Sequence, residues 1–306
     1  MPTAFDINDT GKQNWFYGDN ARVFKILSVF LNVSPDYISS EMIQQIAGVN
    51  PSDEELVFSY ASLVAAACGL DIYSNVEDRR FFRDSFLSCF SVQRDELYKE
   101  DPFYKHIIFP SEQYGKWRFS NNICKAYESF VCGDPVISKS NGGIKVTPQI
   151  GFFKNDYRYP AVWENGREWM TLMPNETNTM KHAISSAHGR VLTFGLGLGY
   201  FAYMASLKDN VESVTVVELS GDVIILFEKY ILPQFEYPSK INLIKSDAFS
   251  FAENNYKPGA FDSVFTDIWH DPSDGTELYL KMKSFERLMP CCDYEYWLEN
   301  TLKLYI

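Results

Sequence analysis

The sequence is short of positive charge. Its 306 residues hold 28 lysines and arginines against 40 aspartates and glutamates, a formal net charge of −12 at pH 7. That balance offers no basic footprint for a phosphate backbone or an anionic membrane surface, so neither nucleic acid nor membrane is expected as a partner. Long apolar runs are missing too. None nears the roughly 20 residues of a membrane span, and the polar start Met1-Pro-Thr-Ala-Phe-Asp-Ile-Asn8 lacks the apolar stretch of a secretion signal. A soluble cytoplasmic protein is the expectation. Cysteines are few and scattered (Cys68, Cys89, Cys124, Cys132, Cys291 and Cys292), with no Cys-x-x-Cys pair for zinc or thiol exchange. No metal is expected, since Asp271 and Asp274 read as turn formers without a third ligand. His106 and His182 carry no partner signal, so structural roles are expected of them.

The length allows two domains, each with its own core. The first, residues 1–133, reads as mainly helical. Ser34-Pro35 looks like a cap and first-turn proline opening a helix that runs toward Gly48. Ser52-Asp-Glu-Glu55 is a capping box, and the apolar run that follows stops at Gly69. A further helix is expected from Val76 to Phe90. The helix-turn-helix spacing over Tyr37 to Cys68 has no lysine or arginine for phosphates, which argues against DNA reading. Trp117, Phe119, Tyr127 and Phe130 are expected to pack between domains.

The second domain, residues 134–306, changes character. Pro135-Val-Ile-Ser138 and Ile144-Lys-Val-Thr147 read as short strand pieces, and Asn165-Gly166 signals a hairpin setting Val162-Trp163 against Trp169-Met170. A helix over Asn178 to Ala187 then leads into alternating strands and helices: strands at Arg190 to Phe194, Ser213 to Leu219, Ile241 to Lys245, Ser263 to Ile268 and Tyr294 to Trp297. This is a Rossmann-like, doubly wound α/β pattern built on a mainly parallel sheet. Only 38 residues follow the fourth strand, so the usual last strands are expected to be largely lacking. The open edge then needs cover from the N-terminal half or from a second copy in a homodimer.

The most informative stretch is Arg190-Val-Leu-Thr-Phe-Gly-Leu-Gly-Leu-Gly-Tyr200. Glycines at 195, 197 and 199 suit a sharp turn that brings backbone close to a ligand. A dinucleotide fingerprint would place its third glycine where Tyr200 stands, so a ligand without a pyrophosphate fits better. Glu218 ends the second strand, where a carboxylate can bond ribose hydroxyls. Ser246-Asp-Ala-Phe249 ends the third; Asp247 can accept from an adenine amino group and Phe249 can cover the ring, although Asp247 reads equally as a helix cap.

Together Val191 to Gly199, Val216-Val-Glu-Leu219, Lys245 to Phe249 and Phe261-Asp-Ser-Val-Phe-Thr-Asp-Ile-Trp269 resemble the successive motifs of class I S-adenosylmethionine-dependent methyltransferases, and the leading hairpin is similar to the spermidine-synthase-like branch. The resemblance covers roughly Val162 to Met289. It implies S-adenosylmethionine as cofactor, held along Phe194, Gly195, Leu196, Gly197, Gly199 and Tyr200, with Glu218 and Leu219 at the ribose and Asp247, Ala248 and Phe249 at the adenine. Asp267 would face the reacting centre. Two departures stand out. Thr193 occupies a position that is commonly acidic in the family, and the turn lacks the aspartate of aminopropyltransferases.

Methyl transfer from a sulfonium needs a positioned nucleophile and a group to take its proton. Asp267 and His270 suit that role, with Trp269 as a wall. Asn175 and Glu176 could bind a substrate amine or the cofactor's amino group, or serve the helix start. The expected function is methyl transfer to a small or medium acceptor. A cofactor-binding module without catalysis and, more remotely, an aminopropyltransferase are the alternatives.

Overall fold

The computed structural model describes residues 18–140, 143–270, 272–303 and 306. The Met1–Asn8 reading and Asp271 lie outside the described residues. The described residues form two compact units, one made of the chain from Gly18 to Glu96 with Ile123–Arg158, the other of Leu97–Asn122 with Tyr159–Ile306. The expected boundary at 133/134 falls inside a strand, and the chain passes between the units three times, at 96/97, 122/123 and 158/159.

The first unit begins with α1 (Asn20–Val33), α2 (Ser40–Ala47), α3 (Asp53–Ala67), α4 (Val76–Phe81) and β1 (Phe90–Gln93). Then come α5 (Asp95–Lys99), α6 (Pro102–His106), β2 (Gln113–Tyr114) and β3 (Trp117–Cys124), before the hairpin β4 (Phe130–Ser140) and β5 (Gly143–Phe153). Val23, Leu27 and Phe30 of α1 are buried at helical spacing, and the Asn20 amide donates to Ile144 O at 2.8 Å, tying the helix start to β5. The capping box of α3 is present: Glu55 N donates to Ser52 Oγ and Ser52 N to Glu55 Oε2.

Two helix expectations are corrected. Ser34 ends α1 instead of opening α2, whose cap is Ser39, with Met42 N donating to its hydroxyl. The helix from Val76 stops being regular at Phe81 and continues as a π turn over Phe82–Phe86. Phe81, Phe82, Phe86 and Phe90 are all buried, and their positions would spread over half the circumference of a regular helix.

The short strand pieces expected after residue 134 are two long strands of this unit. β5 lies at the centre, parallel to β1 and antiparallel to β4, whose register shifts on both sides of Gly133. Tyr127 joins this unit's core and Phe130 stacks on Phe153, whereas Trp117 and Phe119 belong to the core of the other unit. Each aromatic thus serves its own unit's interior.

The second unit holds a four-stranded sheet in the order β2-β3-β6-β7, with β6 (Tyr157–Glu164) and β7 (Arg167–Thr171) forming the Asn165-Gly166 hairpin. Val162 faces Met170, but a bulge pairs Trp163 with Glu168 rather than Trp169. After α7 (Pro174–Ser186) come β8 (Gly189–Phe194), α8 (Tyr200–Ser206), β9 (Val211–Glu218), α9 (Gly221–Tyr230), β10 (Ile241–Lys245), α10 (Ala248–Asn255), β11 (Ser263–Thr266), α11 (Pro272–Lys283), β12 (Asp293–Tyr296) and α12 (Glu299–Leu302). All five strands run parallel in the order β10-β9-β8-β11-β12. This is a mixed α/β unit around a Rossmann-like parallel sheet. Val191, Leu192, Phe194, Val214, Val216 and Val264 are buried along its centre, as a sheet covered on both faces requires. Among the described residues no helix is long and apolar enough to cross a membrane, and no cluster of three or more His, Cys, Asp or Glu could hold a metal ion.

Candidate functional site

In the order 3-2-1-4-5 the direction of winding reverses between the first and fourth strands, and ligands bind outside the carboxyl ends of the strands at that crevice. Here those strands are β8 and β11. Asp267 N donates to Phe194 O at 3.0 Å, and a Cβ on Gly195, which has φ +91°, would come within 2.1 Å of Asp267 O. Only glycine allows the turn after β8 and the exit of β11 to meet so closely.

The other two glycines also face protein. A Cβ on Gly197 (φ +52°) would lie 2.4 Å from Met170 Sδ, and one on Gly199 (φ +85°) 2.4 Å from the Phe227 ring. On the side where a Cβ would stand, all three glycines of the expected cofactor turn thus meet protein groups. Of these, Met170 is the end of a flexible side chain and can swing away, whereas the Asp267 carbonyl cannot. Phe194, Leu196 and Tyr200 of the same stretch are buried; the Tyr200 hydroxyl donates to Asp101 Oδ2 at 2.8 Å, anchoring α8 rather than facing a ligand space. Thr193 is buried within β8.

Glu218 closes the turn from the side. Its Oε2 accepts from Leu196 N at 3.1 Å and its Oε1 from Ser220 N at 2.7 Å. Burial pushes this carboxyl above the usual range, and the backbone N–H groups pull it partway back. Leu219 next to it is 69% exposed. At the end of β10, Asp247 caps α10, Ser250 N donating to its Oδ1 at 2.9 Å, which realises the capping reading. Phe249 is half-buried, with Lys281 Nζ 3.9 Å from its ring centre, and half-buried Ala248 precedes it as the first residue of α10.

Across the crevice stands α7. Pro174 occupies its first position, so Asn175 and Glu176 lie in the first turn; the cap is Met173, not Asn175. The indole Nε1 of Trp297 donates to Thr179 Oγ1 at 2.8 Å, fixing the second turn of α7 beside the end of β12. Glu176 is pushed up to about 8, first by burial, then by the Asp267 carboxyl nearby, against a hydrogen bond from Asn175. Burial also pushes Asp267 up to about 7. Among the described residues no cation offsets either charge. Two half-buried acids from distant parts of the sequence therefore stand near each other, each held toward its protonated form.

The remaining predicted residues separate. His270 is exposed at the exit of β11, its N–H donating to Asp274 Oδ1 at 3.2 Å. Trp269 is corrected: it is 6% exposed and packs on Gly275 of α11, so it forms core rather than a wall. The exposed aromatic is Trp169 of β7, whose ring meets the His270 ring edge-on at 4.2 Å. Trp169 and Met170 are the site neighbours that sequence reasoning missed as such. Their hairpin was legible, but its docking against the glycine turn is a tertiary fact. His106 Nδ1 sits 2.8 Å from Pro102 O and His182 pairs with Glu295 at 3.0 Å, both away from this crevice.

No protein-family model matches the sequence, and no curated protein matches it. Among solved structures, a conserved hypothetical protein of Streptococcus pyogenes is similar with a TM-score of 0.30 and 17% identity, over 36% of this chain and 66% of that one. A putative O-methyltransferase from Klebsiella pneumoniae is similar with a TM-score of 0.29 and 17% identity, over 37% of this chain and 49% of that one. A spermidine synthase from Thermotoga maritima is similar with a TM-score of 0.33 and 16% identity, over 48% of this chain and 58% of that one. The chain spans less than two thirds of the length of each of these structures.

Proposed function

We propose that the second unit binds S-adenosylmethionine across the carboxyl ends of β8, β9, β10 and β11 and transfers its methyl group to a small or medium acceptor. The observation that carries this reading is the meeting of the glycine turn with Asp267 at the point where the sheet reverses its winding. The bound cofactor would supply an activated methyl on a sulfonium; the chain supplies position and proton handling. Glu218 already accepts two backbone N–H groups, and a carboxylate has about four lone-pair sites, so it can also accept from two ribose hydroxyls. Leu219 borders the ribose beside Glu218, and Asp247, Ala248 and Phe249 border the adenine side. Met170 swings off Gly197 to admit the ligand.

Asp267 is the proposed base. A carboxyl held near 7 is half ionised at neutral pH and can take a proton from the acceptor. Glu176 and Asn175 orient the acceptor, His270 lies at the lip, and Trp169 takes the wall position expected of Trp269. Aminopropyl transfer is the second reading, favoured by one observation: two acids without a cation suit an amine acceptor.

Calorimetry separates the readings. Micromolar binding of S-adenosylmethionine, weakened about tenfold in Glu218→Ala, is expected. No heat with this ligand sinks the proposal, and tighter binding of its decarboxylated form moves the choice to aminopropyl transfer. Binding without labelled product from an acceptor panel favours a module without catalysis.

A further inference from the structure

The first unit carries a trough of about 590 Å³ formed by α1 and the turn after α3. Arg22, Lys25, Ile26, Val29 and Val33 line it at helical spacing, a second stripe beside the buried one of Val23, Leu27 and Phe30. A surface helix ordinarily turns its second stripe to water with polar side chains; here Val29 is 56% and Val33 74% exposed. Leu70 contributes to the floor, held by the tight turn in which Leu70 N donates to Ala65 O at 2.9 Å.

The trough is polarised. Its cations stand together near the start of α1, and none of its lining residues is acidic. Arg22 is matched by Asp78 at 2.5 Å and lies over the Phe81 ring, whereas exposed Lys25 has no ion-pair partner among the described residues. An apolar channel with one unmatched ammonium at its end is complementary to a single anionic head on a single apolar tail. The volume fits one small ligand.

We propose that this trough binds a fatty-acid carboxylate, its head on Lys25 and its chain along Ile26, Val29 and Val33 over Leu70. The proposal uses only the first unit and is independent of methyl transfer. The test is fluorescence titration of the full chain with dansyl-labelled undecanoic acid, followed by displacement with laurate and with lauryl alcohol. Saturable binding of one probe per chain is expected, with laurate displacing it and the alcohol about tenfold weaker. Lys25→Glu should weaken binding about tenfold, Lys25→Arg should retain it, and Val29→Asp should abolish it; both positions are exposed, so circular dichroism should match wild type. No saturable binding, equal displacement by the alcohol, or an unchanged Lys25→Glu protein overturns the proposal. So does sedimentation showing a dimer of the unliganded chain that Val29→Asp dissociates, since a second copy would then cover the trough.

Discussion

The turn after β8 and the exit of β11 touch, yet they use their residues in opposite ways. In the turn, nearly every feature that marks it in the sequence is satisfied by the protein itself: Gly195 by the Asp267 carbonyl, Gly197 by Met170, Gly199 by Phe227, and the Glu218 carboxylate by two backbone N–H groups. At the exit, the Asp267 carboxyl meets another acid, Glu176, instead of a partner that satisfies it. A motif rich in glycine is first a solution to close approach, and the chemistry left over lies where the fold sets like charges together.

Breaking the turn should have the largest effect. Gly195→Ala puts a methyl group onto a backbone carbonyl at a positive φ, and the loss should be roughly 4 kcal/mol or more, enough to unfold a domain of ordinary stability. Gly259 has φ +76° but nothing within 4 Å, so Gly259→Ala should cost only about 1 kcal/mol. Urea midpoints followed by circular dichroism compare the two; equal losses would mean that φ alone, not the approach of β11, demands glycine at 195.

Changing the exit should spare the fold and strike activity. Asp267→Asn should lower methyl transfer about 10²- to 10³-fold while S-adenosylmethionine still binds. In wild type kcat/KM should rise with pH through about 7 as Asp267 ionises, and the variant should lose that limb. A variant that keeps both rate and limb would remove Asp267 from the proposed chemistry. Glu218→Gln should be milder, about tenfold in cofactor Kd, because one amide oxygen replaces two carboxylate acceptors.

How much of this could be read from the chain follows from how local each signal is. β8, β9, β10, β11 and β12 lie within about two residues of their expected bounds, because a buried parallel strand is a continuous apolar run that turn residues punctuate. Ser52 and Glu55 were equally legible, since a capping box closes within one turn. α2 was misplaced because Ser34 and Ser39 are both good caps, and the choice falls to tertiary packing around Ile38, which is 1% exposed. β4 escaped recognition in full because the irregular pairing around Gly133 breaks the period-two pattern. The site divides the same way. Asp267 and Glu218 are named by their strands, whereas the nearness of Glu176 to Asp267 depends on how α7 crosses the sheet, about ninety residues away in sequence.

That nearness can be weighed without any substrate. The folded-state value of Glu176, about 8, lies far above the ordinary carboxyl value of an unfolded chain, about 4.3. Between the two the folded protein holds a proton that the unfolded chain has released, so this group's contribution to stability is full below about pH 4 and falls as pH rises through 8. Asp267, raised to about 7, acts in the same direction. Glu176→Gln keeps the shape and removes the titration. The variant should match wild type near pH 4.5 and exceed it by roughly 4 kcal/mol at pH 8.5, where wild type must hold a half-buried charge beside Asp267. The difference between the two urea-derived stability curves isolates this pair from every other titrating group. A flat difference from pH 4.5 to 8.5 would mean that Glu176 reaches water in solution, and the contrast between a satisfied turn and an uncompensated exit would then rest on Asp267 alone.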